Sequence, residues 1–356
     1  MSPPPSVPSS VREAVETHLA SIERAHDVTT LVAVARGSHA WGGASSASDY
    51  DVGFVFAPSD LGRYAHLEGP PETIVEERCG GEPADGDSTS AAVEFDADDD
   101  CDCDCDYDYQ GWDIRKFARL LANSNDGAID LLRSPIRYRL ACDRAVLDNL
   151  RTYVEQTYNP MDLYHAYRGI ATSNYRKYVS NHLVRSDDER FPIIEETADG
   201  YVVEAADGAS ESDKAGRGRD EGESERTMFV ADDNERFSTT QTKPTVKRNL
   251  TICRAAMAAR YLQTTGDRGD HDLPALAFET FLDDQAPAVF ERERIALART
   301  LLERKRRGEG DAHIGDAVGR EFATPPAELD PAVHVRAGPD AAQLDEFIDE
   351  LLAPVE

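Results

Sequence analysis

Gly37-Ser38, followed about ten residues later by Asp49-Tyr50-Asp51, is the stretch whose residue types and spacing can do chemistry. In a strand, positions i and i+2 share a face, so Asp49 and Asp51 project side by side. Carboxylates that close repel, and a hard divalent cation such as magnesium, which takes one or two carboxylates plus substrate phosphates, is the usual compensation. The amides of Gly37 and Ser38, with the Ser38 hydroxyl, can hold phosphate oxygens, because glycine lets a ligand approach the backbone closely. The chemistry implied is phosphoryl or nucleotidyl transfer.

These residues need elements to hold them. Val11, Val15, Leu19 and Ile22 recur at helical spacing, which predicts a helix from Ser10, as N-cap, to about residue 25. Apolar runs over 30–35 and 51–56 read as strands, with the Gly- and Ser-rich stretch 37–48 between them. A further strand starts near Tyr107, turns at Gln110-Gly111 and leads into a helix over 113–122 with Asp113 as its N-cap. Beyond it, helical periodicity covers 145–155, 161–183, 246–263, 288–307 and 341–352. This is an α+β chain: a loose tail over 1–9, a domain of strands and helices over 10–140, and an α-helical domain over 141–356.

The 356 residues carry a net charge of −30, with six Lys among 38 bases. So acidic and lysine-poor a chain binds nucleic acid poorly in a non-specific way and suits a salt-rich cytoplasm. The charge is nonetheless local. The segments 80–108 and 187–235 hold −12 each, leaving −6 on the other 278 residues. They read as acidic insertions, at about 80–106 and 187–235, the second of Gly- and Ser-rich, disordered composition with room for a short hairpin from 191–194 and 201–203. The body between them can therefore accept a phosphate-rich substrate. No apolar run is long enough for a membrane helix, and the N-terminus lacks the basic and apolar regions of a signal peptide, so a cytoplasmic location is expected. Cys101, Cys103 and Cys105 alternate with Asp, a low-complexity pattern without the paired spacing of a structural zinc site.

The stretch 37–56 resembles the signature of the DNA polymerase β-type nucleotidyltransferase superfamily. Asp108-Tyr109-Gln110-Gly111-Trp112-Asp113-Ile114-Arg115-Lys116-Phe117, and Asn125 followed by Leu131-Leu132-Arg133-Ser134-Pro135-Ile136-Arg137-Tyr138, look like the matching stretches of the RNA-repair-pathway (RlaP-like, YcgL-like) nucleotidyltransferases. Tyr164-His165-Ala166-Tyr167, Asn174-Tyr175-Arg176-Lys177-Tyr178 and 247–262 resemble that family's helical half. The resemblance implies a small mixed sheet bearing three metal-binding carboxylates, two magnesium ions (manganese in their place), a nucleoside triphosphate as donor and RNA as the favoured acceptor, with an RNA ligase as functional partner. Asp49 and Asp51 are two of the three. Asp102, Asp104, Asp106 and Asp108 share a strand face, and of these Asp108 is favoured by its distance to Gly111-Trp112-Asp113, with Asp106 next.

Lys116, Asn174, Lys177 and Arg254 are further candidates for nucleotide contact, while His39 and Trp41 read as packing residues. Two functions fit: a magnesium-dependent nucleotidyltransferase that releases pyrophosphate, and a catalytically silent nucleotide-binding subunit of an RNA-processing assembly. A third carboxylate brought beside Asp49 and Asp51 would favour the first.

Overall fold

Helix α1 (Ser9–His26) buries the expected stripe Val11, Val15, Leu19 and Ile22 along one face. It starts one residue before the expected cap: Pro8, with φ −52°, occupies the N-cap position, and its carbonyl accepts from the Arg12 amide at 3.2 Å. Proline's fixed φ and missing N–H suit the start of a helix, so Ser10 lies inside the first turn. Val7 packs on the same core, which places residues 7–9 in the fold and not in the tail. The computed structural model describes residues 7–78, 107–186, 189–197, 199–204, 227–231, 234, 236–240 and 242–353. The expected acidic insertion at 80–106, with its three cysteines and Asp102, Asp104 and Asp106, lies outside them.

The first sheet has the strand order β3-β4-β2-β1-β5, formed by β1 (Val28–Ala35), β2 (Tyr50–Pro58), β3 (Thr73–Arg78), β4 (Tyr107–Asp113) and β5 (Arg137–Leu140). All its pairs are antiparallel except β2 with β4, which run parallel. The sheet is thus mixed, as a parallel pair requires a crossover. Membership of the core follows the two-residue period: Val52, Phe54 and Phe56 of β2 and Tyr109 of β4 join the α1 stripe, while Val55 and Ala57, equally buried, lie outside that cluster. Helix α2 (Gly37–Trp41) replaces the turn expected after β1. Helix α3 (Ile114–Ala122) does begin at Asp113, whose carboxylate accepts from the Arg115 amide at 3.0 Å. It is followed by α4 (Asp126–Arg133) and α5 (Arg144–Thr157).

Downstream, α6 (Pro160–Tyr178) ends before the expected limit at 183, and Leu183 lies in a strand. Strands β6 (His182–Arg185), β7 (Arg190–Thr197), β8 (Gly200–Glu204), β9 (Thr227–Ala231) and β10 (Phe237–Thr240) make a second sheet in the order β10-β6-β7-β8-β9, antiparallel throughout. The expected hairpin is its β7-β8 pair. The expectation of an α-helical second half with at most a short hairpin is corrected here to one that also holds a five-stranded sheet. Each of four strands gives one fully buried residue, Leu183, Phe191, Val203 or Val230, too few to register as periodicity among so many acids.

Helices α7 (Val246–Gly266), α8 (Phe278–Thr280), α9 (Arg292–Arg306), α10 (Arg320–Ala323), α11 (Pro331–His334) and α12 (Ala341–Leu352) complete the chain. Among the described residues no helix is long and apolar enough to cross a membrane. Contacts divide the chain into one unit of Met1–Tyr167, Ala258–Gly308 and Ala327–Glu356, and another of Arg168–Met257 and Glu309–Pro326. The boundary expected at 140 falls inside the first unit, because β5 pairs with β1 and α5 packs on α4 and α12.

Candidate functional site

The first sheet carries a row of acids on one face and a ladder of stacked rings on the other. Asp51 is paired with Asp108 across β2 and β4, and Asp108 in turn with Glu77 across β4 and β3, so three carboxylates stand in one row. Asp49 lies two residues ahead of Asp51, just outside the start of β2. The intervening residues point the other way. His39 stacks on Tyr50 at 4.4 Å, Tyr50 on Tyr107 at 5.4 Å, and Tyr107 on Tyr109 at 6.3 Å. His18 of α1 closes this ladder against Tyr109 at 4.3 Å. Alternation along two strands therefore gives the acids a rigid aromatic backing.

Gly37 sets the distance between α2 and these acids. Its φ is +53°, and a Cβ there would fall 1.7 Å from Oδ2 of Asp51, so only glycine meets both conditions. The Arg36 amide donates to the Asp51 carbonyl at 2.7 Å, tying the start of α2 to β2. Ser38 sits in the first turn of α2, where its carbonyl accepts from the Gly43 amide at 2.8 Å. Trp41 closes the helix, edge-on to Phe278 at 6.4 Å, and like His39 it is a packing residue.

One cation lies within the acidic face. The half-buried Arg36 side chain runs over Gly53, whose Cβ would sit 2.2 Å from Arg36 Cδ. It reaches Gln110, the strand partner of Gly53, and donates to that amide oxygen. Its guanidinium lies 5.0 Å above the Trp112 ring. Burial holds its pKa below the ordinary arginine value, against the opposing charges of Asp51, Asp130, Asp126 and Asp108. Asp108 is pushed up to about 6, by burial first and then by Asp51 and Glu77, with Arg36 opposing and Asp49 adding. Like charge on the row is thus only partly relieved by protein groups. Such hard oxygen donors fit a divalent cation, although among the described residues no three acidic, His or Cys side chains converge as a ready-made metal cluster.

A strand–helix–strand unit of this kind, with acids paired across parallel strands, is what the residues 37–56 and 107–113 encode, and the whole chain bears the same stamp. Residues 11–353 match the model of the RNA repair pathway DNA polymerase beta family. The chain belongs to that family. Uncharacterized protein YcgL of Bacillus subtilis (strain 168) is similar, at 27% identity over 175 residues, 49% of this chain and 56% of that protein. The chain thus spans about half the length of that relative. No solved structure matches. The family's name points to a DNA polymerase β-like nucleotidyltransferase in RNA repair.

Other candidate residues fall in different places. Lys116, on α3, donates to the Thr73 hydroxyl at 2.6 Å, bridging α3 to β3. Asn174 donates to the Ile170 carbonyl of its own helix at 2.8 Å, and Lys177 lies 5.1 Å from the Tyr178 ring. Arg254 is on α7. These last three belong to the second unit, whereas Gly37, Ser38, Asp49, Asp51, Asp108 and Lys116 share the first. Sequence reasoning missed Arg36 and Glu77. The base immediately before Gly37 was a signal for the first; Glu77 has no signal without the strand register.

Proposed function

We propose that this family member is a magnesium-dependent nucleotidyltransferase that moves a nucleoside monophosphate from a nucleoside triphosphate to a hydroxyl, an RNA 3′ end being the favoured acceptor, with release of pyrophosphate. The observation that carries the reading is the Asp51–Asp108 pair across parallel strands, with Asp49 two residues ahead of Asp51 in the chain. Asp49, Asp51 and Asp108 would hold two magnesium ions, or manganese. A divalent ion bound there supplies charge neutralisation of the attacking and leaving oxygens. Gly37 and Ser38 offer the triphosphate a backbone that it can approach closely, and the Asp108 carboxylate accepts the proton of the attacking hydroxyl. RNA ligase is the partner that the pathway in the family's name suggests.

The test is incubation with labelled ATP, CTP, GTP or UTP, magnesium and RNA. Label transfer that disappears in Asp49→Ala supports the reading; no transfer to RNA, protein or small hydroxyl acceptors overturns it. The absence of a converged metal cluster among the described residues keeps a second reading in view, a nucleotide-binding subunit without turnover. It predicts a rise in melting temperature with a triphosphate and magnesium but no label transfer, since a ligand of the folded state stabilises by mass action.

A further inference from the structure

Two consecutive cations at the end of α9 grip the link between α2 and β2. The buried stripe of α9 is Ala298, Leu301, Leu302 and Lys305, so a lysine occupies a slot that helical periodicity assigns to an apolar residue. Lys305 is 8% exposed, and its amine donates to the Ser48 hydroxyl at 2.9 Å across 257 residues of sequence. Ser48 is the knot of a small turn: its Oγ accepts from the Ser45 amide at 3.0 Å, and its amide donates to the Ser45 carbonyl at 3.1 Å. The next residue is Asp49. At the other end of the link, Arg306 Nε donates to the Gly42 carbonyl at 2.7 Å, while its Nη2 pairs with Glu279 at 3.0 Å. Gly42, at φ +84°, is the C-cap of α2.

The link from Gly42 to Ser48 joins the Gly37-Ser38 helix to the first carboxylate, and α9 fastens both ends. Taking an ammonium group out of water costs free energy that a leucine in the stripe would not incur. The hydrogen bond to Ser48 is one of the contacts that offset that cost. We propose that Lys305 and Arg306 are positioning residues, acting through Ser48 and Gly42 to fix the Asp49 carboxylate relative to the Gly37-Ser38 helix. This rests on the transferase reading for its consequence, but not for its geometry.

The experiment compares the full chain with Lys305→Met, Lys305→Arg and Ser48→Ala. Hydrogen exchange of peptides covering 43–50 is the decisive measurement and needs no activity. Lys305→Met speeds that exchange about tenfold or more while α1 and β1 keep their protection, and Lys305→Arg restores it in part. Ser48→Ala, which leaves the α9 stripe intact, reproduces the effect if Lys305→Met fails to fold. Binding of manganese alone, followed by electron paramagnetic resonance, weakens about 10-fold or more in Lys305→Met, as loss of a group that orients a ligand does. In transfer assays the loss falls on kcat more than on KM for the triphosphate. Unchanged exchange over 43–50 in both Lys305→Met and Ser48→Ala overturns the clamp. Faster exchange in a protein that transfers no nucleotide upholds the clamp and rejects the transferase.

Discussion

Each unit contains a five-stranded sheet, and the two differ in strand direction and in what their faces carry. The first, mixed, has its parallel β2-β4 pair at the centre of the acidic row, and one of its faces is filled by α1. Its second face holds Asp51, Asp108 and Glu77 with Arg36 beside them. The second sheet is antiparallel throughout and closes on a core of Leu183, Phe191, Val203 and Val230. Phe229 of its β9 is 52% exposed, and no acidic row crosses its described strands. A parallel pair brings residues far apart in sequence into register without a hairpin, which is how Asp51 and Asp108 come to be neighbours. On the proposed reading the chemistry sits where the crossover is, and the antiparallel sheet serves as scaffold.

The contrast is breakable at four points. Gly37→Ala forces a Cβ into the space of the Asp51 carboxylate at an unfavourable φ, so nucleotidyl transfer drops about 100-fold, the scale of a displaced reacting group, with far-ultraviolet circular dichroism unchanged. Arg36→Met removes the cation between four carboxylates and lowers unfolding free energy by about 2 kcal/mol in urea titrations, less than for a fully buried pair because the site is partly hydrated. Val203→Ala leaves a void in the second sheet and costs about 1 kcal/mol, read as faster hydrogen exchange in β7 and β8. Transfer kinetics stay at the parent value if this sheet is scaffold, and a fall in kcat would end the distinction.

The smallest effect is in pH dependence. Folding raises the Asp108 pKa from 3.8 to about 6, so the folded chain binds the extra proton and stability declines as pH climbs between these values, then levels off. Asp108→Asn removes that decline and is more stable above pH 6 by about 1 kcal/mol once solvent screening is counted. Thermal melts of both proteins at pH 4.5 and 7.5, in the absence of divalent ions, check the sign.

The site was legible where chemistry follows from spacing. Gly37, Asp49 and Asp51 announce themselves by type and interval, and Asp113 by its place before a helical stripe. Asp108 is favoured over its alternating neighbours by its distance to Gly111-Trp112-Asp113; its register with Asp51 is a property of pairing that no local pattern encodes. Arg36 over Gly53 was hidden for the same reason, since the glycine's meaning lies in a side chain 17 positions upstream. The second sheet was obscured because most of its strands are short and lie within an acid-rich stretch of sequence. The interleaved units were illegible because the sequence shows where elements are, not which later helix returns to pack on an early strand.

The chain has two tryptophans: Trp112 lies at the acidic face beneath the Arg36 guanidinium, and Trp41 ends the Gly37-Ser38 helix and packs on Phe278. Its tryptophan emission, excited apart from that of the 13 tyrosines, therefore comes only from these two positions. A cation or triphosphate that shifts Arg36 or α2 will change the brightness or colour of that emission without any label, so ligand titrations can be followed on the unmodified chain.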